Sequence, residues 1–67
     1  MIKGTVKWYS PKKGYGFIYD QKGKELFVHH SDLTFWTIYL NKGDRVKFKL
    51  GTSDRGQKAV NVNKIET

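Results

Sequence analysis

Apolar and polar residues alternate along five short stretches of the chain, and glycines separate these stretches. A period of two in segments rich in Val, Ile, Phe, Tyr and Thr is typical of β-strands. The predicted strands are residues 3–9, 15–19, 25–30, 45–50 and 59–65. No segment carries an apolar period of 3.6 over three turns, so the sequence predicts no long helix.

Residues that favour turns lie between the predicted strands. Turns are expected at 11–14, 21–24, 41–44 and 52–56, a single capped helical turn at 31–33, and a loop at 34–40. Five short strands favour an all-β fold, a five-stranded antiparallel barrel, because closure removes exposed strand edges. The 67 residues are expected to form one domain, residues 1–67.

Alternation gives each predicted strand an inner and an outer face. The expected core consists of apolar residues and one glycine: Val6, Gly16, Ile18, Leu26, Val28, Val46, Phe48, Leu50, Val60, Val62 and Ile65. The same alternation turns the aromatic residues of the second and third strands outward, namely Tyr15, Phe17, Tyr19, Phe27 and His29. The reverse assignment would overfill the barrel, since even eight strands enclose only enough room for their own side chains.

An outer face with several aromatic rings marks an interaction site. Bases stack on such rings with about 1–3 kcal/mol per base, and a duplex hides the base faces that stacking needs. Thirteen Lys and Arg residues oppose six Asp and Glu residues, a formal charge of +7 that suits a polyanion. Single-stranded RNA or DNA is therefore the expected partner.

Residues 13–18 fit the first ribonucleoprotein motif, K/R-G-F/Y-G/A-F-V, with Ile18 in place of Val. Its two glycines are expected to keep backbone bulk away from flat bases and to let the strand bend. A full RNA-recognition motif also needs two helices, which this sequence does not supply. Together with residues 4–9, 26–31, 41–46 and 59–62, the motif resembles the cold shock domain family over essentially the whole chain.

The resemblance implies an OB-type barrel that binds single-stranded nucleic acid and acts as an RNA chaperone or antiterminator. It also implies a binding site of aromatic and basic residues: Lys7, Trp8, Lys13, Tyr15, Phe17, Phe27, His29, His30, Trp36 and Arg55. Alternation places Trp8 on the side of Val6, so only a bulge or a sharp bend in the first strand could bring Trp8 out of the core.

Two positions of the implied site depart from the family pattern. His30 stands where the family often has Phe, which makes that platform weaker and sensitive to pH. Either Phe35 or Trp36 could replace the loop aromatic that stacks a base, with Trp36 preferred, and either ring could instead close the end of the barrel. The strong basicity is a further departure, because many bacterial relatives are acidic.

The same composition argues against several other ligands. Cysteine is absent, so there is no disulfide and no thiolate metal site. His29 and His30 are adjacent, and on a strand they would point to opposite faces, so neither a metal nor another cofactor is expected. No run of about 20 apolar residues and no leader sequence is present, which favours a cytoplasmic protein without a membrane partner. A monomer without a small-molecule substrate is expected.

Three other functions compete with binding to a single strand. No catalytic constellation is visible, so an enzyme is not expected, although residue types alone leave RNA cleavage by His and Lys open. An SH3-like barrel that binds Pro-rich peptides also exposes Tyr and Trp, but the flanking lysines favour an anionic partner. A basic protein that coats duplex DNA or ribosomal RNA would explain the charge and leave the aromatic face unused.

Overall fold

The computed structural model describes residues 1–34, 40–54 and 56–65. Its five strands confirm the five strands predicted from the pattern. In chain order the elements are β1 (Ile2–Ser10), β2 (Tyr15–Asp20), β3 (Glu25–His29), a 3-10 turn (His30–Asp32), β4 (Arg45–Ser53) and β5 (Gly56–Lys64). Both β4 and β5 extend into the predicted turn at 52–56, so they form a tighter hairpin than expected.

The strands close a barrel in the order β1-β2-β3-β5-β4, which confirms the all-β, five-stranded barrel. In the described residues the pairs β1–β2, β2–β3, β1–β4 and β4–β5 are antiparallel. The fifth pair is parallel and joins β3 to β5 where Phe27 pairs with Lys58. We call this pair the closing seam. Parallel strands need a long crossover between them, and here the crossover includes the 3-10 turn and β4.

The predicted helical turn exists but begins one residue earlier than expected, at His30. His29 precedes it in extended conformation, and the Nδ1 atom of His29 accepts a hydrogen bond from the backbone N–H of Ser31 at 3.2 Å. This side chain therefore caps the turn and satisfies one of its free N–H groups. No helix in the described ranges is long and apolar enough to cross a membrane.

Buried apolar side chains fill the barrel. Within the described part of the chain they are Val6, Ile18, Leu26, Val28, Leu40, Val46, Phe48, Ala59 and Val62. The prediction for Leu50 is wrong, since this residue is 46% exposed. The ladder between β1 and β4 ends where Ile2 pairs with Phe48, two residues before Leu50. Val60 and Ile65 are only partly buried, the former because a β-bulge changes the alternation of β5.

The bulge lies where the ladder between β4 and β5 shifts register, between Lys47 and Lys49. Over this interval β5 has one residue more than β4, and Asn61 there adopts the left-handed φ of 50°. The extra residue reverses the alternation, so Ala59 and Val62 both point into the core although they are three positions apart.

Replacing Asn61 with valine is expected to destabilise the barrel by about 1–2 kcal/mol, because a β-branched residue is strained in the left-handed region. Replacing Asn61 with glycine is the matched control, and it should cost little because glycine adopts this conformation freely. Urea unfolding of the three proteins would measure the difference. Equal stability of the valine and glycine variants would show that the bulge does not need the left-handed residue.

Candidate nucleic-acid interface

A second β-bulge brings Trp8 to the outer surface of the barrel. Val6 pairs with Ile18 and Trp8 pairs with Phe17, so Lys7 is an extra residue in β1. The extra residue reverses the alternation of β1, and Trp8 lies beside Phe17 while Val6 stays buried. The bulge that the sequence required for an outward Trp8 is therefore present.

Six side chains with aromatic rings lie together on β1, β2 and β3 and at the start of the 3-10 turn. We call them the aromatic platform: Trp8, Tyr15, Phe17, Phe27, His29 and His30. The centroid of the Trp8 ring lies 5.4 Å from that of Phe17 and 5.7 Å from that of Tyr15. Phe27 completes a closed circuit, at 5.7 Å from Phe17 and 5.8 Å from Tyr15.

Burial along the strands agrees with the predicted faces. The rings of Tyr15, Phe17 and Phe27 are only partly buried, whereas Ile18 and Val28 are 0% exposed. The outward assignment of the aromatic residues is thereby confirmed. The four rings form a continuous apolar surface instead of a filled interior.

The two histidines extend the platform, and their predicted orientation is wrong. The His29 centroid lies 6.4 Å from that of Phe27, and the His30 centroid lies only 4.2 Å from that of His29. The strand ends at His29 and the 3-10 turn begins at His30, so strand alternation does not separate them. In the ranges that the structure describes, no three His, Asp or Glu side chains gather in the way that metal ligands would.

The cap made by His29 also determines which ring nitrogen carries a proton. Its Nδ1 atom accepts the backbone N–H of Ser31 at 3.2 Å and lies 2.8 Å from the Oγ atom of Ser31. An accepting Nδ1 places the proton of a neutral imidazole on Nε2. His29 therefore offers a flat ring face together with one N–H donor.

The two glycines of the motif are required by packing within the barrel. A Cβ atom on Gly16 would lie 2.2 Å from the carbonyl oxygen of Trp8 and 2.6 Å from the Cα atom of Tyr9. The absence of a Cβ atom on Gly16 thus allows the bulged β1 to approach β2 closely. The expectation that Gly16 clears space for bases is wrong, because its Cβ would lie against β1. Gly14 has a φ of 78°, and its Cβ would lie 2.8 Å from the His30 ring. The absence of a side chain at Gly14 therefore leaves room for the imidazole of His30.

Lys7 precedes Trp8 in β1, and its ammonium group is paired with a carboxylate. Its Nζ atom lies 2.8 Å from Oε1 of Glu25, in a pair whose two side chains are 38% and 42% exposed. The hydrogen bond that Lys7 donates to Glu25 raises the pKa of Lys7 above its ordinary value. Exposed pairs of this kind contribute little to stability, so a phosphate group can replace the carboxylate.

Lys13 lies in the exposed turn between β1 and β2, at the end of the platform formed by Tyr15. The turn is held by hydrogen bonds to Ser10, whose carbonyl accepts Gly14 N–H at 2.7 Å and whose Oγ accepts Lys13 N–H at 3.2 Å. These contacts fix the backbone and leave the side chain of Lys13 exposed.

Lys58 is a basic residue near the platform that sequence reasoning missed. It pairs with Phe27 across the closing seam, and its Nζ atom lies 3.1 Å from Oδ2 of Asp32. That oxygen is buried and has no hydrogen bond of good geometry in the described residues. The ammonium group of Lys58 therefore compensates the charge of the Asp32 carboxylate without a well-aligned hydrogen bond. A parallel pairing between distant strands leaves no local signal, so the alternation could not have found Lys58.

Three residues considered from the sequence lie outside the described residues: Phe35, Trp36 and Arg55. The choice between the two loop aromatics and the role of the last-loop arginine therefore stay predictions.

The family described as "'Cold-shock' DNA-binding domain" matches residues 2–65 of this chain. The chain belongs to the cold shock domain family. Among similar proteins, cold shock protein 1 of Lactiplantibacillus plantarum is 46% identical over 63 residues, covering 92% of this chain and 96% of that protein. Cold shock protein CspC of Bacillus subtilis is 40% identical over 65 residues, covering 96% of this chain and 98% of that protein.

The major cold shock protein of Streptococcus pyogenes is 39% identical over 66 residues, which cover 97% of this chain and 98% of that protein. The description of the family and the relatives in it support nucleic-acid binding as the general activity of this chain. Membership and the closed five-stranded barrel together confirm the resemblance and the fold expected from the sequence motifs.

Proposed function

We propose that this cold shock domain, residues 1–67, binds single-stranded RNA and DNA by stacking bases on the aromatic platform. The observation that supports this proposal most is the closed circuit of four rings at the surface of β1, β2 and β3. Each stacked base contributes about 1–3 kcal/mol, whatever its identity. Paired bases present only their edges, so such a platform favours unpaired strands.

Lysines around the platform hold the phosphates in this proposal. Lys13 binds a phosphate directly, and Lys7 exchanges Glu25 for a phosphate oxygen when a strand binds. Lys58 flanks the rings while it stays paired with Asp32. His29 and His30 extend the stacking surface beyond Phe27. Trp36 and Arg55 belong to the proposed site on the strength of the family resemblance alone.

The proposed cellular role is that of an RNA chaperone or antiterminator in the cytoplasm, acting as a monomer. A protein that binds only unpaired strands shifts the equilibrium of an RNA hairpin toward its open form, because binding stabilises that form selectively. The family resemblance supports this role.

Titration of the tryptophan fluorescence with a short oligothymidine is expected to quench the emission strongly, because Trp8 forms part of the platform. The Trp36→Phe variant leaves Trp8 as the only one of the two tryptophans and assigns the signal to it. If three to five phosphates are contacted, the log–log slope of affinity against salt should be about −2 to −3.5.

Matched duplex DNA and a Pro-rich peptide are titrated separately in the same way, as the ligands of the two alternative functions. Tight binding of the duplex, without a response to the single strand, would favour a duplex-coating protein. Tight binding of the peptide alone would favour an SH3-like barrel. A salt slope near zero would contradict the phosphate contacts.

A further inference from the structure

An open groove of about 500 Å³ lies between β1, β2 and the turn at residues 41–44. Its walls include Trp8, Tyr19 and Lys42, with Lys7 and Gly43 beside them. Small-ligand sites have volumes of about 300–1,000 Å³, and this groove falls within that range. Trp8 belongs to both the platform and the groove, so the two surfaces are continuous.

Tyr19 provides an aromatic surface inside this groove. It lies on the outer face of β2 with Phe17, and the residue is 37% exposed. In the described part of the chain Tyr19 has no ring partner, whereas Tyr15 and Phe17 pack against other platform rings. The Nζ atom of Lys7 lies 5.8 Å from the centroid of the Tyr19 ring, so a cation is held next to the exposed ring.

The turn that carries Lys42 is fixed against β1 by its backbone. Val6 N–H donates to Asp44 O at 2.9 Å, and Gly43 N–H donates to Val6 O at 2.9 Å. Within the turn, Asp44 N–H donates to Asn41 O at 3.0 Å, and the Asp44 carboxylate accepts Asn41 N–H at 2.9 Å. Lys42 is thus presented at the groove by backbone that needs no rearrangement.

The groove is electropositive. The carboxylate of the turn, Asp44, pairs with Lys64 at 3.2 Å, and among the described residues Lys42 takes part in no ion pair. The other carboxylate near the groove is Glu25, which is held by Lys7. An exposed ring with one ammonium group beside it and a second lysine in the same groove matches a ligand with a flat base and an anionic phosphate.

We propose that this groove is a further nucleotide subsite, which continues the binding track beyond Trp8. The base stacks on Tyr19, and the adjoining phosphate lies between Lys42 and Lys7. This proposal rests on the proposed function, because the same strand must first occupy the aromatic platform. It assigns a ligand to two residues, Tyr19 and Lys42, that the family resemblance left without a role.

A ladder of oligothymidines of increasing length tests the subsite. The affinity of the unmodified protein should rise again when the strand becomes long enough to reach the groove. The Tyr19→Ser variant should lose about 5- to 150-fold in affinity for these longer strands, the value of one stacked base, and bind shorter strands normally. Lys42→Ala should make the log–log salt slope shallower by about 0.7 for the longer strands only.

Lys49→Ala is the matched control for Lys42→Ala, since Lys49 is an exposed lysine on β4 away from the groove. Lys49→Ala should leave the length profile unchanged. It should also change the salt slope for the longer strands less than Lys42→Ala does. Unchanged length profiles in both groove variants, or equal losses at all lengths, would overturn the subsite. Failure of every oligonucleotide to bind the unmodified protein would instead overturn the proposed function.

Discussion

Replacing Phe17 with alanine is expected to weaken the binding of a short oligothymidine by about 1–3 kcal/mol, which is the value of one stacked base. The same loss is expected for Phe27→Ala. These two rings are direct cross-strand neighbours with centroids 5.7 Å apart, and both contact other rings of the platform. Losing either therefore removes a stacking surface from the centre of the interface.

The double replacement should reveal coupling between the two rings. Residues in contact show interaction energies of about 0.5–3 kcal/mol, so the loss from the double variant should differ from the sum of the single losses. Fluorescence or calorimetric titration at one fixed salt concentration would measure all three affinities. Urea unfolding of the same variants would separate lost binding from lost folding.

Leu50→Ala provides the matched control for this experiment. Leu50 is also an exposed apolar side chain, but it lies on β4, and the platform lies on β1, β2 and β3. The affinity of this variant should equal that of the unmodified protein. Full affinity in both phenylalanine variants would rule out base stacking on the centre of the platform.

Replacing Gly16 with alanine is expected to lower the free energy of unfolding by about 3 kcal/mol, the upper end of the usual cost of overpacking. The added Cβ would lie 2.2 Å from the Trp8 carbonyl oxygen and 2.6 Å from the Tyr9 Cα. Both are backbone atoms of β1, so no side-chain rotation can relieve the clash. For a domain of this size, the loss corresponds to a decrease in melting temperature of about 12–24 °C.

Gly23→Ala separates steric clash from backbone conformation. Gly23 has a φ of 85°, but no atom lies within 4 Å of the position that its Cβ would occupy. This control should cost only about 1–2 kcal/mol through the left-handed conformation. If thermal melts show Gly16→Ala to be as stable as Gly23→Ala or more so, the close approach of β1 and β2 at Gly16 is not a constraint on the barrel.

Alternation was sufficient to predict the strands and most of the platform. Side chains on opposite faces of a strand differ in burial. Consecutive residues such as Phe17 and Ile18 lie on opposite faces, so the alternation along the strand predicts which of them is buried. The prediction failed where a strand gains a residue or ends. An extra residue at Asn61 moved Val60 out of the core, and the end of β3 brought His30 beside His29.

The basic residues of the site were harder to predict than its rings. A lysine is compatible with any exposed position, so its neighbours are decided by the pairing of strands that are distant in the chain. Lys58 lies next to Phe27 only because β5 joins β3. The partner of Lys7, Glu25, likewise comes from a different strand, and neither contact leaves a periodic pattern in the sequence.

The closing seam has a consequence for the order of folding. β1, β2 and β3 are neighbours both in sequence and in the sheet. β5 pairs with β3 although β4 lies between them in sequence. Contacts between distant parts of a chain form late, because their loop-closure entropy is lost before they contribute stability. A partly folded chain with only the first three strands would carry the rings but not the cation of Lys58. The complete candidate interface therefore forms only when the barrel has closed.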